Sequence, residues 1–166
     1  MKMQSPIPGE SGCAGLEAHA SVILRPFALS DLEQVLRIER ASFPVDAYEE
    51  WQFVQLHSAN PGEFFVADTG GGVVGYVTGS IKADCGELES IAVDSRFQGR
   101  GIGRMLTARI LDRFRERGLK KCSLEVRTSN AEAIDLYQHL NFKIVGTLRA
   151  YYADGADAFL MEKLLR

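Results

Sequence analysis

One stretch of the sequence combines glycines, arginines and a change from strand to helix in a way that suits phosphate binding. It spans residues 91–104, reads IAVDSRFQGRGIGR, and contains a Q-x-x-G-x-G pattern that begins at Gln98. Glycines let backbone N–H groups approach a ligand closely, and a helix start adds unpaired N–H donors at the positive end of the helix dipole. Arg96 and Arg100 add full positive charges. The pattern predicts a cradle for a pyrophosphate.

Other interpretations of this glycine-rich stretch can be weighed from its spacing. It lacks the G-x-x-x-x-G-K-[ST] pattern and is therefore not a P-loop. It overlaps in part with dinucleotide-binding fingerprints, but its strand falls in the middle of the chain and no parallel βαβ repeat precedes it. A tight turn whose glycines serve packing is the plainest alternative. The helix start and the arginines favour phosphate binding over that alternative.

The charge of the chain is distributed unevenly. Its 19 Lys and Arg and 22 Asp and Glu residues give a net charge of −3. Nine basic residues nevertheless lie between Arg96 and Lys121, opposed only by Asp112 and Glu116. Such a block indicates either a polyanionic ligand bound at one place or a solvated helix face. The acidic remainder argues against a nucleic-acid partner, because a domain that binds duplexes is usually basic as a whole.

Length and composition restrict the class of protein further. The chain has 166 residues, of which 46% are hydrophobic and 25% charged, as in an ordinary single globular domain. No apolar run approaches the roughly 18 residues of a membrane span. Three unpatterned cysteines predict neither a disulfide framework nor a metal site, and they fit the reducing cytoplasm. Residues 1–21 lack the apolar stretch of a secretory signal and predict a flexible tail before a domain at 22–166.

Hydrophobic periodicity and turn residues predict seven strands and four helices. The predicted strands cover residues 22–24, 64–67, 73–81, 87–93, 122–126, 143–147 and 158–162, and the predicted helices cover residues 31–41, 47–57, 101–117 and 129–140. Ser30 with Glu33 and Ser129 with Glu132 have the spacing of capping boxes. The order β-α-α-β-β-β-α-β-α-β-β requires both parallel crossovers and an antiparallel hairpin at Gly70–Gly72. We therefore expect an α/β fold with a mixed sheet flanked by helices.

Three motifs carry a resemblance to a known family. RFQGRGIG at residues 96–103 resembles the acetyl-CoA signature of the Gcn5-related N-acetyltransferases, the GNAT superfamily, whose element order is the same. LEVRTSN with AIDLY at residues 124–137 and YYADGAD at residues 151–157 are similar to the RimI and Ard1 branch, which acetylates protein N-terminal α-amines. The resemblance covers about residues 21–166. It implies a mostly antiparallel sheet and an enzyme that uses acetyl-CoA, without a metal, on protein N-termini, including nascent chains or a ribosomal protein.

The resemblance also implies which residues bind the cofactor. In this family the turn holds the pyrophosphate of CoA through its backbone, and the preceding strand pairs with the pantetheine arm. These roles fall on Ile91, Ala92, Val93, Arg96, Phe97, Gln98, Gly99, Arg100, Gly101 and Gly103. Asn130 matches an asparagine that contacts the CoA arm. Tyr137 matches the tyrosine that protonates or hydrogen-bonds the leaving thiolate, although its helical neighbours alone predict only an inward-facing core tyrosine.

The general base is implied in the same way. Glu125 matches the glutamate that acts as the base in RimI, whereas its strand position alone favours an exposed glutamate paired with Arg127. Strand alternation places Cys122 on the opposite face from Glu125, which argues against a thiol nucleophile. Glu87 stands where some archaeal relatives have a histidine that assists deprotonation. The division of work between Glu87, Glu89 and Glu125 stays open.

The acceptor side is implied by two further regions. Tyr151 and Tyr152 resemble loop tyrosines that hydrogen-bond the backbone of the substrate peptide, with an exposed turn as the alternative. Phe43, Pro44 and Tyr48 fall between the first two helices, which form the other wall.

Two rival functions share this fold, an acetyltransferase for a lysine side chain or a small amine and a non-catalytic acyl-CoA-binding module. For all of these functions we expect a monomer or a weak dimer, with no membrane partner.

Overall fold

The computed structural model describes residues 21–166, so the tail predicted for residues 1–21 lies, apart from its last residue, outside the described part. The strands are β1 Ile23–Pro26, β2 Phe64–Asp68, β3 Val73–Lys82, β4 Cys85–Val93, β5 Lys121–Arg127, β6 Lys143–Leu148 and β7 Ala158–Leu164. The helices are α1 Leu32–Ser42, α2 Glu50–Ala59, α3 Ile102–Glu116 and α4 Ala131–His139. This element order confirms the one predicted from the sequence.

The seven strands form one sheet in the order β1-β2-β3-β4-β5-β7-β6. Neighbouring strands are antiparallel throughout, except for β4 and β5, which are parallel. The parallel pair follows from the crossover through α3, because a helix between two adjacent strands returns the chain in the same direction. The mixed, mostly antiparallel sheet is therefore confirmed.

The parallel pair opens a cleft in the middle of the sheet. β4 and β5 pair only from Cys85 and Lys121 as far as Glu87 and Ser123, after which the two strands separate. On its other side β4 stays paired with β3, and the register between them shifts so that Glu89 is an extra residue, a β-bulge. The separated strand ends leave one edge of β4 facing the cleft.

Both faces of the sheet are covered by helices. α3 and α4 pack on one face, where Leu106, Ile110, Phe114 and Tyr137 are fully buried. α1 and α2 pack on the other face around Phe53. Apolar residues at helical spacing therefore fill two cores, one on each side of the sheet.

The helix starts differ from the predicted capping boxes. A 3₁₀ turn at Leu29–Asp31 precedes α1, because the Asp31 carboxylate accepts the N–H of Ala28 at 2.9 Å and pairs with Arg25. The prediction that Ser30 caps α1 is thus wrong. The N-cap of α4 is Asn130, whose side chain accepts the N–H of Ala133 at 3.2 Å, so the cap predicted at Ser129 lies one residue too early.

Some element bounds also differ from the prediction. Pro26 is the last residue of β1 rather than the residue that stops it, which an edge strand tolerates because proline lacks only the N–H. α2 begins at Glu50, three residues later than predicted. β3 and β4 extend to a tight hairpin after Lys82.

Two features are absent from the described residues, a membrane-spanning helix and a cluster of metal ligands. None of the helices within residues 21–166 is long and apolar enough to cross a bilayer. The same part of the chain holds no group of three or more His, Cys, Asp or Glu side chains placed to bind a metal ion.

Candidate active site

The open edge of β4 presents main-chain groups to the cleft. The N–H of Asp94 donates to the carbonyl of Val74 on the β3 side at 2.8 Å. Because backbone groups alternate along a strand, the N–H and C=O of Val93 point to the opposite edge, towards the cleft. Gln98 Nε2 donates to that carbonyl of Val93 at 3.0 Å. The predicted pantetheine strand therefore has a free edge at this place.

The glycine-rich turn follows directly and bends the chain into α3. Gly99 and Gly101 have φ angles of 73° and 76°, in the left-handed region that glycine adopts without strain. A Cβ added at either position would meet no atom within 4 Å, so the space above the turn is open. The first hydrogen bond of α3 runs from the Met105 N–H to the Gly101 carbonyl at 3.0 Å, which leaves the preceding amides available to a ligand.

The turn forms one end of a groove of about 480 Å³. The lining residues are Ile91, Ala92, Val93, Phe97, Gln98, Gly99, Gly101, Ile102, Gly103, Arg104, Glu132, Asp135, Leu136 and His139. Its apolar walls and its row of backbone amides suit a ligand with an aliphatic arm and a pyrophosphate, such as CoA. Eight of the predicted cofactor residues are brought together here.

The remaining predicted cofactor residues have other surroundings. Arg96 pairs with Asp94 at 2.7 Å and is 72% exposed, and it does not line the groove. The Arg100 guanidinium lies 5.1 Å from the ring centre of Phe97. Arg104, in the first turn of α3, lies in the groove wall instead. Arg96 and Arg100 were predicted to add positive charge to the pyrophosphate site. The charge of Arg96 is instead balanced by Asp94.

Most side chains of the basic block between Arg96 and Lys121 pair with carboxylates. Arg113 lies 3.3 Å from the buried Glu63, Arg115 pairs with Asp112 at 2.6 Å, and Lys120 lies 3.3 Å from Asp84. Such pairs leave little net charge for a polyanion. Beyond the groove, the solvated-face interpretation of this block is therefore the better one.

Asn130 is the N-cap of α4 and Tyr137 lies within this helix, and neither residue lines the cofactor groove. Tyr137 is fully buried, and its ring meets Phe142 edge-on at 5.5 Å. Burial raises the pKa of this phenol well above its ordinary value, with further contributions from Cys122 and Tyr152. The phenol therefore keeps its proton at neutral pH. The side chain of Asn130 caps the helix, which fixes the position of Tyr137 two turns later.

Three carboxylates gather on the α1 side of the sheet. Glu87 pairs with Lys82 at 2.5 Å. The pKa of Lys82 is raised chiefly by this hydrogen bond, with further contributions from the charges of Glu87, Glu89 and Glu125. The Glu89 carboxylate also accepts the hydroxyl of Ser80 at 2.6 Å. The carboxylates of Glu87, Glu89 and Glu125 therefore provide negative charge that attracts a cationic amine.

A second pocket, of about 310 Å³, opens beside these carboxylates. The lining residues are Val45, Asp46, Ala47, Tyr48, Gln52, Tyr151, Tyr152 and Ala153. The Tyr151 hydroxyl hydrogen-bonds Glu125, and burial together with Glu125 and Glu89 raises the pKa of Tyr151 to about 12. Of the predicted acceptor residues, Tyr48, Tyr151 and Tyr152 meet here. Phe43 is buried in the core and Pro44 is exposed, outside the lining.

Cys122 is buried on the opposite face of β5 from Glu125. Burial raises the pKa of its thiol, so it stays protonated and does not act as a nucleophile. The arrangement offers a carboxylate on β5, a protonated phenol on α4 and backbone donors at the edge of β4. These groups suit acyl transfer from a thioester to an amine.

Several lining residues were missed from the sequence. Arg104, Glu132, Asp135 and His139 line the cofactor groove, although His139 had no predicted role. Helical spacing gives a signal for three of them, because Glu132, Asp135 and His139 recur at i, i+3 and i+7 on one face of α4. No local signal relates that face to Arg104 on α3.

Comparisons with known proteins agree with this geometry. Residues 32–142 match the Acetyltransferase (GNAT) family. An N-alpha-acetyltransferase of Sulfurisphaera tokodaii is 36% identical over 151 residues, which cover 83% of this chain and 90% of the relative. The structure of Ard1 from Thermoplasma volcanium has a TM-score of 0.83 at 33% identity, covering 87% of this chain and 98% of that one. The ribosomal-protein-S18-alanine N-acetyltransferase from Escherichia coli has a TM-score of 0.77 at 29% identity, covering 87% and 94%. The chain therefore belongs to the GNAT family of acetyltransferases, as a RimI- and Ard1-like member.

Proposed function

We propose that this protein transfers the acetyl group of acetyl-CoA to the α-amine of protein N-termini. One observation carries the proposal. The cofactor groove is lined by Ile91–Val93 of β4, and Tyr151 of the second pocket hydrogen-bonds Glu125 of β5, the strand that separates from β4 after Glu87. Two substrates held in these two places would react directly, so proximity supplies much of the rate and no covalent enzyme intermediate is needed.

The cofactor groove fits acetyl-CoA through the chain's own groups. The amides from Gly99 to Arg104 would hold the pyrophosphate, and the edge of β4 at Val93 would pair with the pantetheine arm. Acetyl-CoA supplies the acetyl group as an activated thioester. The N–H of Val93 faces the cleft and is the donor that would stabilise a developing oxyanion.

Glu125 takes the proton of the acceptor amine, directly or through a water molecule. An N-terminal amine has a pKa of about 7.7–8.0, so only modest help is needed, whereas a lysine amine near 10.4 is mostly protonated at neutral pH. Glu87 already holds Lys82, which favours Glu125 over Glu87 as the main base. Glu87 and Glu89 then add negative charge that attracts the incoming ammonium.

Tyr137 assists the departure of the CoA thiolate. Its raised pKa keeps the phenol protonated, so it can donate to the sulfur as the thiolate leaves. The acceptor peptide would lie between Tyr48 on one wall and Tyr151 and Tyr152 on the other.

The physiological setting follows from these assignments. Every group named above belongs to one chain, so a monomer or a weak dimer suffices. Substrates would be protein N-termini in the cytoplasm, such as those of nascent chains or of a ribosomal protein.

Release of CoA with a peptide panel tests the proposal. The panel contains free N-termini that begin with Ser, Ala or Met-Leu, together with an N-terminally blocked peptide that carries a lysine. We expect turnover on free N-termini, and Glu125→Gln should lower kcat by roughly a hundredfold, the scale of a lost general base. The matched variant Glu87→Gln should retain most of the activity. Turnover on the blocked lysine peptide alone would refute the N-terminal assignment.

A further inference from the structure

We propose that Arg127 is a positioning residue that fastens the two walls of the acceptor pocket together and so sets which first residues are accepted. The kinetic part of this inference rests on the proposed function, whereas the fastening itself does not. Arg127 ends β5, two residues after Glu125, and belongs to the LEVRTSN motif.

The guanidinium of Arg127 holds a carboxylate on each wall. Nη2 donates to Asp46 Oδ2 at 2.6 Å, on the loop between α1 and α2. Nη1 donates to the two carboxylate oxygens of Asp154 at 3.0 Å and 2.8 Å, on the loop between β6 and β7. Arg127 thus connects two segments of the chain. Asp46 lies 81 residues before it in the sequence, and Asp154 lies 27 residues after it.

Two further contacts close the arrangement. The guanidinium lies 4.1 Å from the ring centre of Tyr152, a cation–π contact. Asp46 Oδ1 accepts the N–H of Ala153 at 3.3 Å, so the two walls also touch directly. Asp46, Tyr152 and Ala153 all line the acceptor pocket.

Partial burial makes the Asp46 arm stronger than an ordinary surface ion pair, whereas Asp154 is 44% exposed and contributes through its two hydrogen bonds. The side chains of Arg127 and Asp46 are only 26% and 15% exposed. Arg127 lowers the pKa of Asp154 through its hydrogen bonds, so this carboxylate stays charged at neutral pH. A planar guanidinium can serve two carboxylates in fixed directions, which the single ammonium of a lysine cannot do.

The contacts fix the distance between Tyr48 and Tyr151 across the pocket. Tyr151 directly precedes the Tyr152 ring under the guanidinium, and Tyr48 follows Asp46 by two residues. The side chain of a peptide's first residue must fit between these walls. If Arg127 releases them, the pocket widens, peptide binding weakens and discrimination between first residues declines.

Arg149 provides a matched control. It also pairs with a carboxylate of the β6–β7 loop, Asp157 at 2.7 Å, but its side chain is 84% exposed and this ion pair stays within that loop. Arg127→Gln, Arg127→Lys and Arg149→Gln are compared. If Arg127→Gln does not fold, Asp46→Asn and Asp154→Asn each remove one arm of the contact and take its place.

Hydrogen–deuterium exchange tests the fastening without any substrate. We expect Arg127→Gln to speed exchange in both loops, residues 43–50 and 149–157, by at least about tenfold, since a charge-assisted hydrogen bond is lost on each side. Arg149→Gln should leave residues 43–50 unchanged. Unchanged exchange of residues 43–50 in Arg127→Gln would overturn the fastening, whether or not the protein acetylates peptides.

Peptide kinetics test the consequence for specificity. In Arg127→Gln we expect KM for the peptide to rise about tenfold while kcat and KM for acetyl-CoA change less than about threefold, with partial rescue in Arg127→Lys. The spread of kcat/KM across first residues should shrink. An unchanged peptide KM and an unchanged order of preference would overturn the specificity role. No turnover by the wild-type protein on any free N-terminus would refute the proposed function and with it the specificity role, while the exchange result still decides the fastening.

Discussion

The main-chain N–H of Tyr48, in the wall of the acceptor pocket, donates to Oε1 of Glu39 at 2.7 Å. Glu39 is fully buried in α1. Its other oxygen, Oε2, accepts the hydroxyl of Tyr76 on β3 and that of Ser90 beside the β4 bulge. One buried carboxylate therefore anchors the acceptor wall to the strands that form the cleft.

Loss of this anchor should destabilise the protein. Glu39→Ala removes the acceptor of the Tyr48 N–H and of the Tyr76 and Ser90 hydroxyls, which keep only the 2.9 Å hydrogen bond between themselves. We expect a loss of about 2–4 kcal/mol in the free energy of unfolding. Urea denaturation measures this loss. Glu33→Ala, at an exposed position of the same helix, should change stability by less than about 0.5 kcal/mol. Equal effects of the two substitutions would show that Glu39 has no anchoring role.

A side chain at Gly101 should impair acetyl-CoA binding specifically. Gly101→Ala places a Cβ over the turn and strains a residue at φ 76°. We expect KM for acetyl-CoA to rise about tenfold, the equivalent of about 1.4 kcal/mol. Gly118→Ala is the control, because it has a similar φ of 75° and equally open space but lies past the far end of α3. If both variants raise this KM alike, backbone strain and not the cradle is the cause.

Removal of the Tyr137 hydroxyl should slow the chemical step. We expect Tyr137→Phe to lower kcat by about ten- to a hundredfold while acetyl-CoA affinity changes little, because the fully buried ring is retained. Steady-state kinetics and calorimetric titration with CoA measure the two quantities. A variant with wild-type kcat would remove Tyr137 from the mechanism.

The pH dependence should have one rising limb. The value of kcat should increase with pH as the bound N-terminal ammonium, whose pKa in free peptides is about 7.7–8.0, loses its proton to Glu125. A phenol is protonated below its pKa, so the raised pKa of Tyr137, and that of Tyr151 at about 12, extend the protonated range upwards. We therefore expect no decline below about pH 10, the ordinary phenol value. A decline near pH 9 that disappears in Tyr137→Phe would contradict this assignment.

The sequence predicted those parts of the site that depend on local backbone geometry. The turn before α3 could be read because glycines at fixed spacing, a strand end and a helix start all lie within fourteen residues. The inward direction of Tyr137 followed from helical spacing, and the opposite directions of Cys122 and Glu125 followed from strand alternation. Each of these rules operates over a few residues.

Contacts between distant segments were not predictable in this way. Arg127 meets Asp46 across 81 residues, and nothing in either segment indicates the other. Arg96 looked like a free cation in the turn, but Asp94 pairs with it. Glu39 shows an intermediate case, since its spacing from Val35 and Leu36 places it on the buried face of α1 and gives a signal that could have been used.

Capping illustrates why element bounds are harder to predict than elements. Ser129 and Asn130 are adjacent and both are good N-cap residues, so composition cannot choose between them. Asn130 is the N-cap in the structure. Its N–H donates to the Arg127 carbonyl at 3.0 Å, so the turn between β5 and α4 includes Ser129 and the helix begins one residue later.

Mass spectrometry of one peptide tests the central claim most directly. The peptide carries a free N-terminal serine and an internal lysine, and fragmentation locates the acetyl group after a single limiting turnover. We expect the label on the α-amine in wild type and Glu87→Gln, and its near-complete loss in Glu125→Gln. Acetylation of the lysine alone, or an undiminished α-acetyl yield in Glu125→Gln, would contradict the account.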